Sequence, residues 1–84
     1  METNKETALT IQSRLDVLRK GLIGEENSVN YYKTLVEKMA EDSEVNIGMR
    51  RMYYELMLEE KEHVAHFETL ILQWENKLRE TSGL

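Results

Sequence analysis

Eighty-four residues with sixteen acidic and eleven basic side chains give a net charge of −5, and the chain has neither cysteine nor proline. That charge argues against a nucleic-acid partner and suits a cationic ligand, while the lack of cysteine excludes disulfides and thiolate metal sites. Such a length supports one small domain, residues 1–84, whose own core is modest, so a metal or a second chain is an expected source of stability.

The first ten residues, Met1 to Thr10, are polar and do not read as a signal peptide. No stretch is apolar enough to cross a bilayer. The expectation is a cytoplasmic protein without a membrane partner. Thr3 and Glu6 have the spacing of a capping box ahead of a periodic stretch. That stretch reads Ile11, Leu15, Leu18, Leu22, Glu25, Val29, Tyr32, Val36 and Met39, in alternating steps of four and three. Such spacing is the seam of a helix packed in a bundle. It predicts helix one over about residues 4–40.

Glu41, Asp42, Ser43 and Glu44 break the pattern, and Asp42 or Ser43 can cap a following helix. A second seam then runs Met49, Tyr53, Leu56, Glu60, His63, Phe67, Leu70 and Trp74, widened by Val64, Ile71 and Leu78. It predicts helix two over about residues 44–79, ended by Thr81, Ser82 and Gly83. Each helix would be roughly 55 Å long at 1.5 Å per residue. The expected fold is all-α: two long antiparallel helices forming a hairpin. Two helices enclose no core, so the hairpin is expected to pair into a four-helix bundle, as a homodimer or a higher homo-oligomer.

Three polar residues interrupt the seams. Glu25 takes a core position in helix one, and Glu60 and His63 take consecutive core positions in helix two. A buried carboxylate is costly unless paired or bound to metal. Neither seam carries an arginine or lysine to pair with it. The i, i+3 spacing aims Glu60 and His63 the same way, and carboxylate with imidazole is a donor set for a divalent transition metal. With the turn centred near Ser43, Glu25 lies eighteen residues before it, and Glu60 and His63 lie seventeen and twenty after it. All three therefore fall at one height. Two hairpins related by a twofold axis would supply four glutamates and two histidines, the ligand set of di-iron carboxylate bundles.

The run Glu25-Glu26-Asn27-Ser28-Val29-Asn30-Tyr31-Tyr32 resembles the first-helix ligand motif of rubrerythrins, bacterioferritins and encapsulated ferritins, and Glu59-Glu60-Lys61-Glu62-His63-Val64 resembles their second-helix E-E-x-E-H motif. The single-hairpin length is most similar to the encapsulated ferritins. The resemblance implies that Glu25, Glu60 and His63 are iron ligands, with manganese as the other metal to consider, and that Tyr32 stands beside the site. It further implies a ferroxidase centre between two subunits that oxidises Fe(II) to Fe(III) for iron storage or detoxification. A shell-forming encapsulin partner is left open, with Thr81 to Leu84 giving no support for a shell-targeting peptide.

Two other functions fit the same residues. One is a rubrerythrin-like peroxidase or oxidase, which would need a separate electron donor because the chain lacks cysteine. The other is a non-catalytic helical dimerisation module with a structural metal. Around the three ligands, His66 reads as an edge polar residue, and Glu26, Glu59 and Glu62 read as a solvated acidic face. Tyr32 and Tyr53 fall level with each other as core filler. Gly21 and Gly24 each cost a helix roughly 1 kcal/mol relative to alanine; close helix approach, local distortion near the metal, or simple tolerance of weak points would each account for them.

Overall fold

The computed structural model describes residues 5–82. Among them there are two helices and no strand: α1, Ala8–Lys38, and α2, Glu44–Ser82. The helices run antiparallel and pack along their whole length.

α1 starts later than the sequence pattern predicts. Thr7 is its N-cap, and the capping box is closed by Thr10: Thr7 Oγ1 accepts from the Thr10 N–H at 3.2 Å, and Thr10 Oγ1 accepts from the Thr7 N–H at 2.8 Å. The expected box partner Thr3 lies outside the described residues. Glu6 is occupied elsewhere, accepting from the Thr10 hydroxyl at 2.7 Å and from Arg14 at 2.7 Å. A threonine at both positions satisfies the same two orphan N–H groups that Thr-x-x-Glu would.

The far end of α1 is also short of the expected bound, with Met39 in extended conformation as the C-cap. Arg50 closes this end by donating from Nε to the Val36 carbonyl at 3.2 Å, while its guanidinium lies 3.2 Å from Glu41. Ser43 caps α2, accepting from the Asn46 N–H at 3.1 Å, and Asp42 accepts from the Asn46 side chain. α2 continues through Thr81 and Ser82, which the sequence pattern placed in the terminating segment. The Ser82 hydroxyl donates to the Leu78 carbonyl at 2.7 Å, a bond that helical backbone accommodates.

The molecule is a rod of 62 × 26 × 14 Å with a radius of gyration of 18.8 Å. A compact chain of this size would have a radius near 12 Å. Its accessible surface is 6484 Å², against about 5,200 Å² for a compact monomer of this mass. Among the described residues, only Ile11, Leu15 and Met57 are buried. Met57, outside the predicted seam, is buried, whereas the seam residue Met49 is exposed. Met57 stands one turn before Glu60, on a side of α2 that the strict seam omits. Among the described residues, no helix is long and apolar enough to cross a membrane.

Candidate metal centre

Helical spacing fixes the site from both sides. Glu25 lies within α1, and Glu60 and His63 lie one turn apart on α2, so antiparallel packing brings the three to one level. One ligand atom from each, a carboxylate oxygen or the imidazole nitrogen, lies within 4.8 Å of the others. His63 Nδ1 stands 3.4 Å from Glu25 Oε2 and 3.4 Å from Glu60 Oε2. These separations are longer than a good N–H···O hydrogen bond. Glu60 Oε2 is buried and has no hydrogen-bond partner among the described residues.

The electrostatics of the cluster follow from this crowding. Hydrogen bonding to Glu25 is the main cause that raises the Glu60 carboxyl above the ordinary 4.5, followed by desolvation and by the charge of Glu25, with His63 pulling the other way. For His63, desolvation is the largest single influence and lowers its pKa. The close polar approach of the Glu25 and Glu60 carboxylates, and their charges, outweigh it, so the imidazole titrates above the ordinary 6.5. Both shifts favour extra protons, which relieve the negative charge that two adjacent carboxylates concentrate.

Comparison of the chain with known protein families, characterised proteins and solved structures found no match. The chemistry of the cluster alone therefore bears on what it does. Two carboxylates and an imidazole form a donor set suited to a divalent transition metal. A cation beside Glu60 Oε2 would give that oxygen the partner it lacks.

The side chains differ in how far they face out of the hairpin. Glu25 and Glu60 are mostly covered, at 26% and 23% exposed, whereas His63 is 57% exposed. The site therefore opens on one face of the rod. On the same face, towards the open end of the hairpin, a groove of about 700 Å³ is lined by Val17, Leu18, Leu70 and Trp74.

Tyr32 stacks on Tyr53 at a centroid distance of 6.5 Å, two turns from Glu25 towards the turn. This puts it in the next layer of the helix interface rather than among the converging ligand atoms. His66, Glu26, Glu59 and Glu62 are exposed. None of them joins the three-residue cluster.

The register that sets Glu25 beside His63 also sets Gly21 beside Phe67 and Arg14 beside Trp74. A Cβ on residue 21 would lie 2.5 Å from Phe67 Cε1, so Gly21 is the glycine that permits close helix approach; Gly24 meets nothing within 4 Å. The Arg14 guanidinium lies 4.5 Å from the Trp74 ring centroid. Both contacts were readable in principle, since each pair stands equally far from the turn.

Proposed function

We propose that two copies of the chain pair through the face on which His63 is exposed, forming an iron-binding centre that oxidises Fe(II) to Fe(III) for storage or detoxification. The observation that carries this reading is the buried, unpartnered Glu60 Oε2 beside Glu25 and His63. A buried carboxylate oxygen without a partner is an unfavourable place to leave charge, and a divalent cation is the simplest remedy. Carboxylate and imidazole donors suit Fe(II), or Mn(II) in its place, better than copper.

One chain offers three ligands, an incomplete set for two metal ions. A second copy related by a twofold axis at this height would supply the other half, giving two Glu-x-x-His pairs and two further glutamates. The outward-facing His63 and a surface well above that of a compact monomer both support a partner on this side. The chain's own groups would then do three things. Glu25 and Glu60 would hold negative charge at the centre. His63 offers Nδ1, the nitrogen already turned towards both carboxylates. The paired helices exclude bulk water. Iron, when bound, supplies the one-electron chemistry, each Fe(II) passing an electron to dioxygen or peroxide.

Anaerobic titration with Fe(II), followed by air and with sedimentation in parallel, tests the proposal. Saturation at about one iron per chain in a dimer or larger assembly, then rapid ferric absorbance, is the expected result. An absence of binding, or a monomer that oxidises iron no faster than buffer, would overturn it.

A further inference from the structure

The face of α2 turned away from the site carries a second seam. Tyr54, Leu58, Lys61, Ala65, Glu68 and Leu72 follow steps of four, three, four, three and four. All six are exposed, with Tyr54 at 48%, Leu58 at 41% and Leu72 at 58%. Ala65 is two residues from His63, about 200° around the helix, so this stripe and the site lie on different sides of α2. α1 already covers the apolar face that folds the hairpin, and no described residue covers this one.

Its order is self-complementary. Ala65, the smallest side chain of the stripe, lies at its middle. Lys61 stands four residues before it and Glu68 three after it; Leu58 and Leu72 stand seven on either side. Among the described residues neither Lys61 nor Glu68 forms an ion pair. If the stripe meets a second copy of itself antiparallel across a twofold axis at Ala65, Lys61 faces the partner's Glu68, and Glu68 faces the partner's Lys61. Leu58 then packs on the partner's Leu72. Small residues at the centre let helix backbones approach, and opposite charges beside an apolar seam set register and orientation. The parallel arrangement would set Lys61 against Lys61 and Glu68 against Glu68 of the partner subunit, which charge repulsion disfavours.

Area points the same way. The surface exceeds that of a compact monomer by roughly 1,300 Å², and a standard interface removes about 800 Å² per partner. One pairing leaves part of the excess uncovered.

We infer that a second copy of this chain docks antiparallel on the stripe from Tyr54 to Leu72, a contact separate from the pairing that completes the metal centre. The stripe would link chains whether or not they hold iron.

Sedimentation equilibrium of the full chain and three variants tests this. Lys61→Glu alone and Glu68→Lys alone each set like charges against each other, and each is expected to at least halve the assembly mass. The double variant K61E/E68K restores opposite charges and is expected to recover the wild-type mass. Far-UV circular dichroism should show unchanged helix in all of them, since both positions are exposed. The inference is overturned if the single variants keep the wild-type mass, or if the double variant stays as small as the single ones. Fe(II) titration of Glu68→Lys, five residues from His63 and on a different side of α2, separates this contact from the iron-binding pair: reduced mass with retained iron binding supports the stripe, and loss of both overturns its independence from the site.

Discussion

The ring of Phe67 lies against the bare backbone of Gly21, where a Cβ would stand 2.5 Å from Cε1 and 2.9 Å from Cζ. Gly21 is one turn before Glu25, and Phe67 is one turn after His63. The close approach of the two helices therefore sits directly beside the ligand cluster, and its cost can be read by substitution.

Gly48, on exposed α2 backbone, has nothing within 4 Å of its virtual Cβ and serves as the control. Gly48→Ala should stabilise the fold by about 1 kcal/mol, the helix-propensity difference. Gly21→Ala gains the same propensity but must push the Phe67 ring aside, at a cost of about 1–3 kcal/mol. Denaturant unfolding should therefore find Gly21→Ala less stable than Gly48→Ala. Equal stabilisation of the two variants would show that the Phe67 ring moves freely.

The shifted Glu60 carboxyl makes a directional pH prediction for metal-free protein. Its folded pKa is raised above the ordinary 4.5, mainly by the hydrogen bond to Glu25. The protonated form is thus favoured by folding, so the group's contribution is fully present below 4.5 and is lost as pH rises through the folded value. Glu60→Gln mimics the protonated carboxyl at every pH. Its melting temperature should match wild type in mild acid and exceed it increasingly towards neutrality. A constant difference across this range would remove the charge crowding as its cause.

His63 titrates in the same sense. Its folded pKa lies above the ordinary 6.5, because the two carboxylates outweigh desolvation. Its stabilising contribution is present below 6.5 and fades as pH rises through the folded value. Metal binding has the opposite dependence, since it requires these groups deprotonated. Added Fe(II) or Mn(II) should therefore raise the melting temperature more at pH 7.5 than at pH 5.5, values chosen to lie about one unit either side of the histidine range. A larger rise in acid would argue against this cluster as the site.

Removing a proposed ligand gives the most direct test. Glu60→Ala should keep the helical far-UV spectrum and lose at least ~100-fold in iron affinity, more than removal of an outer hydrogen-bond partner usually costs. Loss of helix in this variant would mean that Glu60 is needed for folding rather than for metal.

Arg14 lies over Trp74 and at the same time donates to Glu6 from Nε at 3.0 Å. Replacing it with methionine keeps an unbranched stem and removes the cation. The loss of the cation–π contact is expected to cost about 0.5–1 kcal/mol. Trp74 is the chain's one tryptophan, so its fluorescence reports the change without ambiguity. An unchanged emission spectrum would show that the contact is not populated in solution.

Much of this molecule was legible in its spacing. Two seams of alternating four and three specify two helices, because a helix brings such residues to one face whatever surrounds it. The break at Glu41–Glu44 specifies the turn, and counting outward from it sets Glu25 level with Glu60 and His63. These are consequences of backbone geometry, which is local. Tertiary structure decided what depends on how two helices lie against each other. The packing of the two helices buried Met57, which the seam omits, and left the seam residue Met49 exposed. The start of α1 is set by the box between Thr7 and Thr10, while Glu6 is held by Arg14. Level placement could not show that Glu60 Oε2 is left without a hydrogen-bond partner, or that His63 faces out of the hairpin. Those facts depend on side-chain rotation and on the neighbouring helix, and neither is fixed by spacing along one chain.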